Sequence, residues 1–475
     1  MFFNSLSFAI FLPIVFLLYW FVFNTSKRTQ NVVLIIASYY FYSCWDWRFL
    51  FLLIFSTLLD YTSGIMMEKS ITAKTRKFWL WLTIGINLGF LGVFKYYDFF
   101  AQSFADLING FGFEVHPYLL KLVLPVGISF YTFHGLSYVI DIYFKRINAE
   151  RNFVDYSLFV SYFPLLVAGP IERATHLLPQ VKIKRIFNLK QGKDGVKLIL
   201  FGLFKKMVVA DNCAFFADQI FSNSTSHSGL ELWLGSVLFA FQIYGDFSGY
   251  SDIAIGVSKL FGIELLKNFN FPYFAKDIAD FWRRWHISLS SWFRDYLYIP
   301  LGGSKGSQFL KIRNVFIIFL VSGFWHGANW TFIIWGAIHA LLFIPLLITN
   351  KNRNNLSSGA YNFKDLPKII LTFMLVCIAW VFFRADSLTI AYEYLIGMFD
   401  FSSLSIHFFL KSSKYILLTL IVLLSIITLV SYEWYALKRN NSIVLLSKRS
   451  MILLIGMILF MGVYRNQLTF IYFQF

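Results

Sequence analysis

Charge is scarce in this chain. Only 14% of its 475 residues are charged, while 58% are hydrophobic and 21% aromatic, and the mean hydropathy is +0.62. A soluble globular domain carries charge on about a quarter of its residues, so that class is excluded. Cysteine is scarcer still. Cys44, Cys213 and Cys377 lie far apart, each inside or beside an apolar segment, which excludes a disulfide framework and a cysteine metal site and leaves them as buried small hydrophobes. The HExxH motif is missing and the histidines have no ligand-like spacing, so no metal is expected. GISFYTFHG around Ser129 and His134 pairs a serine with a histidine but lacks the GxSxG form of a nucleophile elbow. No repeat or inverted symmetry is visible, which speaks against a transporter.

What the chain has in abundance is apolar segments near 20 residues in length, enough to cross a hydrocarbon core of roughly 30 Å. The expected fold is therefore all-α and polytopic. It is read as a single membrane domain over residues 1–475 with about 11–12 transmembrane helices plus re-entrant and interfacial helices. The first apolar segment, Phe8 to Phe23, has no basic region before it and no small-residue cleavage site after it, so it is expected to stay as a membrane helix. The net charge is +17, with lysines and arginines clustered at Lys27 and Arg28, Lys69 to Lys77, Lys145 to Arg151, Lys182 to Lys206, Lys351 to Lys368 and Lys438 to Arg449. These clusters read as cytoplasmic loops and not as a nucleic-acid site. A basic inner face would also concentrate a polyanionic donor such as an acyl-coenzyme A.

Threading the clusters gives crossings near 8–26, 31–46, 47–67, 78–97, 119–144, 197–221, 231–258, 366–386, 414–436 and 450–470, with a helical hairpin over about 312–349. Both termini then fall outside. The segment 153–180 starts and ends inside, and the Gly-Pro pair of AGPIER from Ala168 breaks a helix, so it is expected to enter the membrane and return.

Two histidines stand at membrane depth. GFWHG, Gly323 to Gly327, places His326 beside Trp325 between two apolar runs. Gly323 and Gly327 have the spacing that lets helices approach, but packing does not account for a costly polar ring between them. A neutral imidazole suits general base catalysis because one ring nitrogen accepts a hydroxyl proton. His339 would project from the other side of the same helix as a structural group.

The second histidine lies in an interfacial segment of about 267–313. If DFWRRWHISLSSWFRDYLYIPLGGS from Asp280 is one amphipathic helix, Trp282, Trp285, His286, Leu289, Trp292, Phe293 and Tyr296 share an arc of about 120°. Arg283, Arg284, Ser290, Ser291, Arg294 and Asp295 face the other way. His286 is then either a satisfied core histidine or a functional partner of His326. Asp246 and Asp252 of QIYGDFSGYSDIAIG either orient a histidine or pin helices through hydroxyl and backbone partners.

Several of these motifs share a further property. FWRRWHISLSSWFRDYLYIPLGGS, GFWHGANWTFIIWGAIHA, PVGISFYTFHGLSYVIDIYF from Pro125, AGPIERATHLLPQ from Ala168 and the closing FIYFQF together resemble the membrane-bound O-acyltransferase (MBOAT) family. The resemblance covers nearly the whole chain. It is to a bacterial branch holding alginate and peptidoglycan O-acetyltransferases and the D-alanyl transferase of teichoic acids. It implies a ring of transmembrane helices with an outer funnel and an inner donor entrance, in a bacterial cytoplasmic membrane. His326 matches the family's invariant histidine and His286 its second motif histidine. Beside them, Trp325, Trp282, Arg283 and Asp246 are expected from their own positions in the sequence as supporting or substrate-binding residues. It further implies acetyl-CoA or another acyl thioester as donor, an extracytoplasmic polysaccharide or peptidoglycan acceptor, and an SGNH-type periplasmic or membrane-anchored partner. The rival expectation is a transporter or flippase for a lipid-linked saccharide, using its buried histidines to relay protons.

Overall fold

The computed structural model describes residues 1–167, 169–355, 361–441, 443–444 and 446–464, and among these it contains helices and no strand. Six helices of the described residues are long and apolar enough to cross a membrane: Arg48–Lys69, Ala73–Gly110, Gln308–His326, Trp330–Ile348, Phe363–Arg384 and Ser413–Lys438. A shorter apolar helix covers Leu6–Val22. Helix starts are set by short polar side chains that satisfy the first free backbone N–H groups. Ser307 accepts from Leu310 N, Asn329 from Thr331 N and Ser412 from Tyr415 N. Along Ser413–Lys438, Leu417, Leu420, Leu423, Leu424 and Ile427 are exposed. In water that surface would be unstable; in a bilayer it is the lipid face.

Several expected crossings differ in detail. The helix placed at 119–144 begins only at Ile128, because Pro125 and the left-handed Gly127, with φ +75°, end the extended chain before it. The one near 78–97 runs further, over Ala73–Gly110. The segment expected to be re-entrant consists of short helices, Phe153–Ser161, Phe163–Leu166 and Ala174–Val181, none long enough to cross. Ala168, the last residues of the 450–470 crossing and FIYFQF lie outside the described residues. Cys213 and Cys377 are buried as expected, but Cys44 is exposed.

The chain divides into two compact units, Met1–Val196 with Ala254–Leu266, and Lys197–Ile253 with Lys267–Phe475. In the first, buried polar groups fasten the helices. Asn31 donates to Asp155 Oδ1 at 2.7 Å, Lys27 Nζ lies 3.0 Å from Asp155 Oδ2, and Arg185 donates to Tyr19 and Asn31. Glu172, from AGPIER, has a buried carboxylate that accepts from His176 Nδ1 at 2.8 Å, while its backbone N–H donates to His134 Nε2 at 3.1 Å.

His176 is half-exposed on the short helix Ala174–Val181, and its hydrogen bond to Glu172 raises its pKa above the usual histidine value. A raised folded-state pKa contributes stability that is complete below the unfolded value of about 6.5 and disappears as pH climbs through the folded value. The thermal midpoint of His176→Gln should therefore fall furthest below wild type near pH 5.5 and converge with it in mildly alkaline buffer. A pH-independent gap in thermal melts would refute the ion pair's role.

The second unit is built on close backbone approaches. A Cβ on Gly202 would lie 2.5 Å from Gly249 O, and one on Gly249 would lie 2.8 Å from Gly202 O. Just beyond Gly202, Phe204–Ala210 widens into a π-helical turn. The wide turn sends adjacent lysines to separate acids. Lys205 Nζ lies 2.8 Å from Asp252 and 3.9 Å from Glu433, and Lys206 Nζ lies 2.9 Å from Asp211 and 2.8 Å from Asp246. Lys205 and Lys206 are thus internal helix pins and not part of a cytoplasmic charge cluster. Asp246 and Asp252 do pin helices, and lysines are among the groups that hold them.

Candidate functional site

The expected amphipathic helix through DFWRRWHISLSSWF is broken. Ile278–Arg284 and Ile287–Phe293 are separate helices, and His286 between them is left-handed, with φ +44° and ψ +53°. Such a conformation costs a non-glycine residue roughly 1–3 kcal/mol and persists only when its surroundings impose it. Here they do. Asn270 N donates to Arg284 O at 2.9 Å and Ile287 N donates to Asn268 O at 2.8 Å, so an upstream segment takes up the backbone groups freed by the break. Asp277 caps the first helix through Asp280 N, and Trp285 is fully buried.

The same Asn268 holds the His286 ring. Its Oδ1 lies 3.0 Å from His286 Nδ1 and 2.9 Å from Ser288 Oγ, while its Nδ2 donates to Ser251 Oγ at 3.2 Å. With the amide oxygen facing Nδ1, the neutral ring carries its proton there. Nε2 is left as a lone-pair acceptor, buried and without a hydrogen-bond partner among the described residues.

His326 is the last residue of Gln308–His326, and the chain turns at Gly327 before Trp330–Ile348 begins. The two helices of this hairpin meet where Gly323 faces Gly336. A Cβ on Gly323 would lie 2.2 Å from Phe332 O, and one on Gly336 would lie 2.3 Å from Phe319 O. The backbones therefore approach at Gly323 and Gly336, while Gly327, past the helix end, admits the Phe332 ring of the second helix, which a Cβ there would meet at 2.1 Å. His339 stands on the second helix of the hairpin, not on the helix of His326. Its Nδ1 accepts from Trp282 Nε1 at 3.3 Å and its ring lies parallel to Phe281.

The two motif histidines converge, with ring centroids 6.4 Å apart. Trp325 lies beside both, 4.9 Å from His326 and 6.0 Å from His286. Trp335 and Phe383 close the other sides of His326 at 5.1 and 5.4 Å, and Phe247 lies edge-on to His286 at 4.6 Å. Trp282 reaches this cluster through Trp335, at 5.7 Å. Arg283 does not: its guanidinium donates to Asn352 O at 2.8 Å. Asp246 is held by Lys206, one residue before Phe247.

Sequence reasoning missed Asn268, Trp335 and Trp380. The indole N–H groups of Trp335 and Trp380 are buried without a hydrogen-bond partner among the described residues, which is costly unless something else uses them. A tryptophan inside an apolar run carries no signal of this, and Asn268 becomes legible only once the break at His286 is known. A cleft of about 260 Å³ is lined by Arg294, Arg353 and Ser304 and by Trp282, Phe319 and Ser322. Ser322 stands one helical turn before His326. No group of three or more His, Cys, Asp or Glu side chains among the described residues is placed to hold a metal.

Comparison with known proteins bears on this pair. The model of the membrane-bound O-acyltransferase family, MBOAT, matches residues 146–385, which hold both histidines. The chain is 40% identical over 397 residues to "Probable alginate O-acetylase AlgI" of Pseudomonas aeruginosa, covering 83% of this chain and 74% of that protein. It is 38% identical over 439 residues to the peptidoglycan O-acetyltransferase of Helicobacter pylori, covering 86% and 81%. The teichoic acid D-alanyltransferase of Bacillus subtilis is more distant, at 28% over 281 residues, covering 55% and 69%. An all-helical membrane chain whose two motif histidines fall in the matched region, this protein belongs to the membrane-bound O-acyltransferase family and is an acyltransferase.

Proposed function

We propose that this acyltransferase takes an acetyl group from cytoplasmic acetyl-CoA and passes it to a hydroxyl of an extracytoplasmic polysaccharide or peptidoglycan, with His326 and His286 as its catalytic pair. The observation that carries the reading is the convergence of two buried imidazoles, 6.4 Å apart, one of them fixed in tautomer by Asn268. The names of the relatives at 40% and 38% identity supply the acetyl group and the two acceptor classes. The protein would lie in the bacterial cytoplasmic membrane with both termini outside, working with an SGNH-type periplasmic or membrane-anchored partner.

In this mechanism His326 takes the proton of the acceptor hydroxyl as its oxygen attacks the thioester carbonyl. The carbonyl oxygen becomes an oxyanion, the C–S bond breaks, and the proton held on His326 leaves with the thiolate of coenzyme A. His286, whose Nδ1 proton is engaged by Asn268, offers Nε2 as an acceptor and so orients the hydroxyl instead of steadying the oxyanion. That task falls to the indole N–H of Trp335, beside His326, because a donor already buried needs no reorganisation when charge develops. Arg294 and Arg353, which line the cleft ending at Ser322, match the phosphates of the donor.

Two measurements test this. Inside-out membrane vesicles given radiolabelled acetyl-CoA should deposit label on lumenal glycan and keep doing so with an uncoupler present. If the thioester is not consumed and saccharide movement stops with the uncoupler, the chain is a transporter and the proposal fails. Trp335→Phe keeps an aromatic ring, though a smaller one, and removes the N–H, so kcat should fall about 10²–10³-fold with little change in KM for acetyl-CoA. An unchanged kcat would remove Trp335 from the site.

A further inference from the structure

Away from the histidine pair, the second unit carries a larger and more polar cleft of about 1060 Å³, at the upper limit of the roughly 300–1,000 Å³ of small-ligand sites. One wall is the connection between Asp211–Ser222 and Gly229–Leu260, and the other runs from Leu388–Met398 to Lys411. Hydroxyls line both walls, from Ser224, Thr225 and Ser226 on one and from Ser402 and Ser403 on the other.

The walls are tied together by Glu231. Its Oε1 accepts from Phe408 N at 2.8 Å, and its Oε2 accepts from Ser228 N at 3.2 Å and lies 3.1 Å from His227 Nδ1. The carboxylate therefore fixes the imidazole with its proton on Nδ1 and leaves Nε2 as an acceptor, the arrangement that reads a hydroxyl. Phe408 lies 4.6 Å from the His227 ring, a flat apolar surface beside polar groups. Charge completes the description. Glu231, Glu393 and Asp400 line the cleft against one lysine, and Lys411 is itself engaged over the Phe408 and Tyr415 rings at 4.7 and 4.0 Å. Hydrogen bonds from Ser402 hold the Asp400 carboxyl below the usual value, so it stays charged. This lining repels a polyanion.

Asn329, just after the GFWHG turn, donates to Asp386 O at 2.9 Å, and Arg384 pairs with Asp218 at 3.0 Å. Phe383, the residue before Arg384, packs on His326, and Gln219, the residue after Asp218, lines the cleft. The Arg384–Asp218 pair thus links the wall of the cleft to the residue that packs on His326.

We infer that this cleft binds an uncharged saccharide, such as an N-acetylated glycan, and holds it for acylation at His326; the second half of that statement rests on the function proposed above. Paired carboxylate, imidazole and hydroxyl groups around one aromatic ring suit sugar hydroxyls. A protein partner would want a dry aromatic centre instead, and Phe408 alone of the described lining residues carries a benzene or indole ring.

The test uses the full chain in nanodiscs and two probes of equal length, a tetramer of N-acetylglucosamine and a tetramer of uronic acid, with binding read by saturation-transfer NMR and calorimetry. The neutral probe should bind at least about tenfold more tightly than the acidic one. Ser224→Trp and Ser402→Trp, which fill the cleft from its two walls, should each weaken that binding about tenfold or more while leaving the thermal midpoint within a degree or two of wild type. His326→Asn should bind the neutral probe as wild type does, so a failure of the acyltransfer reading is distinguishable from a failure of the cleft. Tighter binding of the uronate, or tryptophan variants that bind like wild type, would overturn the inference. So would the absence of saccharide binding together with loss of transfer in the tryptophan variants, which would assign the cleft to a protein partner.

Discussion

Replacing His326 by asparagine should reduce acetyl transfer about 10²–10⁴-fold, the contribution of a positioned general base. Asparagine is the more informative substitution because His326 is wedged among Trp325, Trp335 and Phe383. Alanine would leave a cavity there, at a cost of about 3–5 kcal/mol by analogy with large aromatic truncations, and lost activity would then report lost packing as well as lost chemistry. Initial rates with radiolabelled acetyl-CoA should be compared at equal amounts of monodisperse protein. His286→Asn should cost less than His326→Asn if its task is to orient a hydroxyl. The double variant should be little worse than His326→Asn alone, since residues serving one step do not add. Transfer within tenfold of wild type by His326→Asn would leave the ring as packing and end the general-base proposal.

Sequence alone reached the helical membrane class and the two histidines because both depend on local facts: the length of apolar runs, and a costly ring among residues that do not need it. What it missed depends on residues distant in the chain. The apolar arc from Trp282 to Tyr296 is a true feature of side-chain order, yet the backbone breaks at His286 because Asn268 and Asn270 provide partners that periodicity does not register. Burial survives the break, as Trp285 and His286 are both enclosed, so the arc identified the right side chains on the wrong backbone. Lys205 and Lys206 were counted by sign as a cytoplasmic cluster; their place was decided by Asp211, Asp246, Asp252 and Glu433. Trp335 illustrates the opposite case. Its ring is ordinary packing, and only its unpartnered N–H, visible in three dimensions, marks it out.

The largest effect on stability should come from Lys206→Met. Lys206 Nζ sits between Asp211 and Asp246, and all three side chains are almost wholly buried. Removing the ammonium leaves two facing carboxylates without their shared cation, and breaking a buried ion pair from one side costs about 3–5 kcal/mol. Methionine keeps most of the volume, so little of the loss would come from packing. The damage should also reach the site, because Asp246 precedes Phe247, whose ring rests on His286. Transfer activity should therefore fall along with the thermal midpoint. Lys206→Met combined with Asp211→Asn and Asp246→Asn removes the whole set of charges, and since a fully neutral replacement of a buried ion cluster is often near neutral in stability, it should recover much of the lost midpoint. Recovery of stability without recovery of transfer would show that the pin also positions Phe247 against His286. If Lys206→Met melts with wild type, the buried triad does not fasten these helices, and the account of the π-helical turn as a device for aiming two lysines at separate acids falls with it.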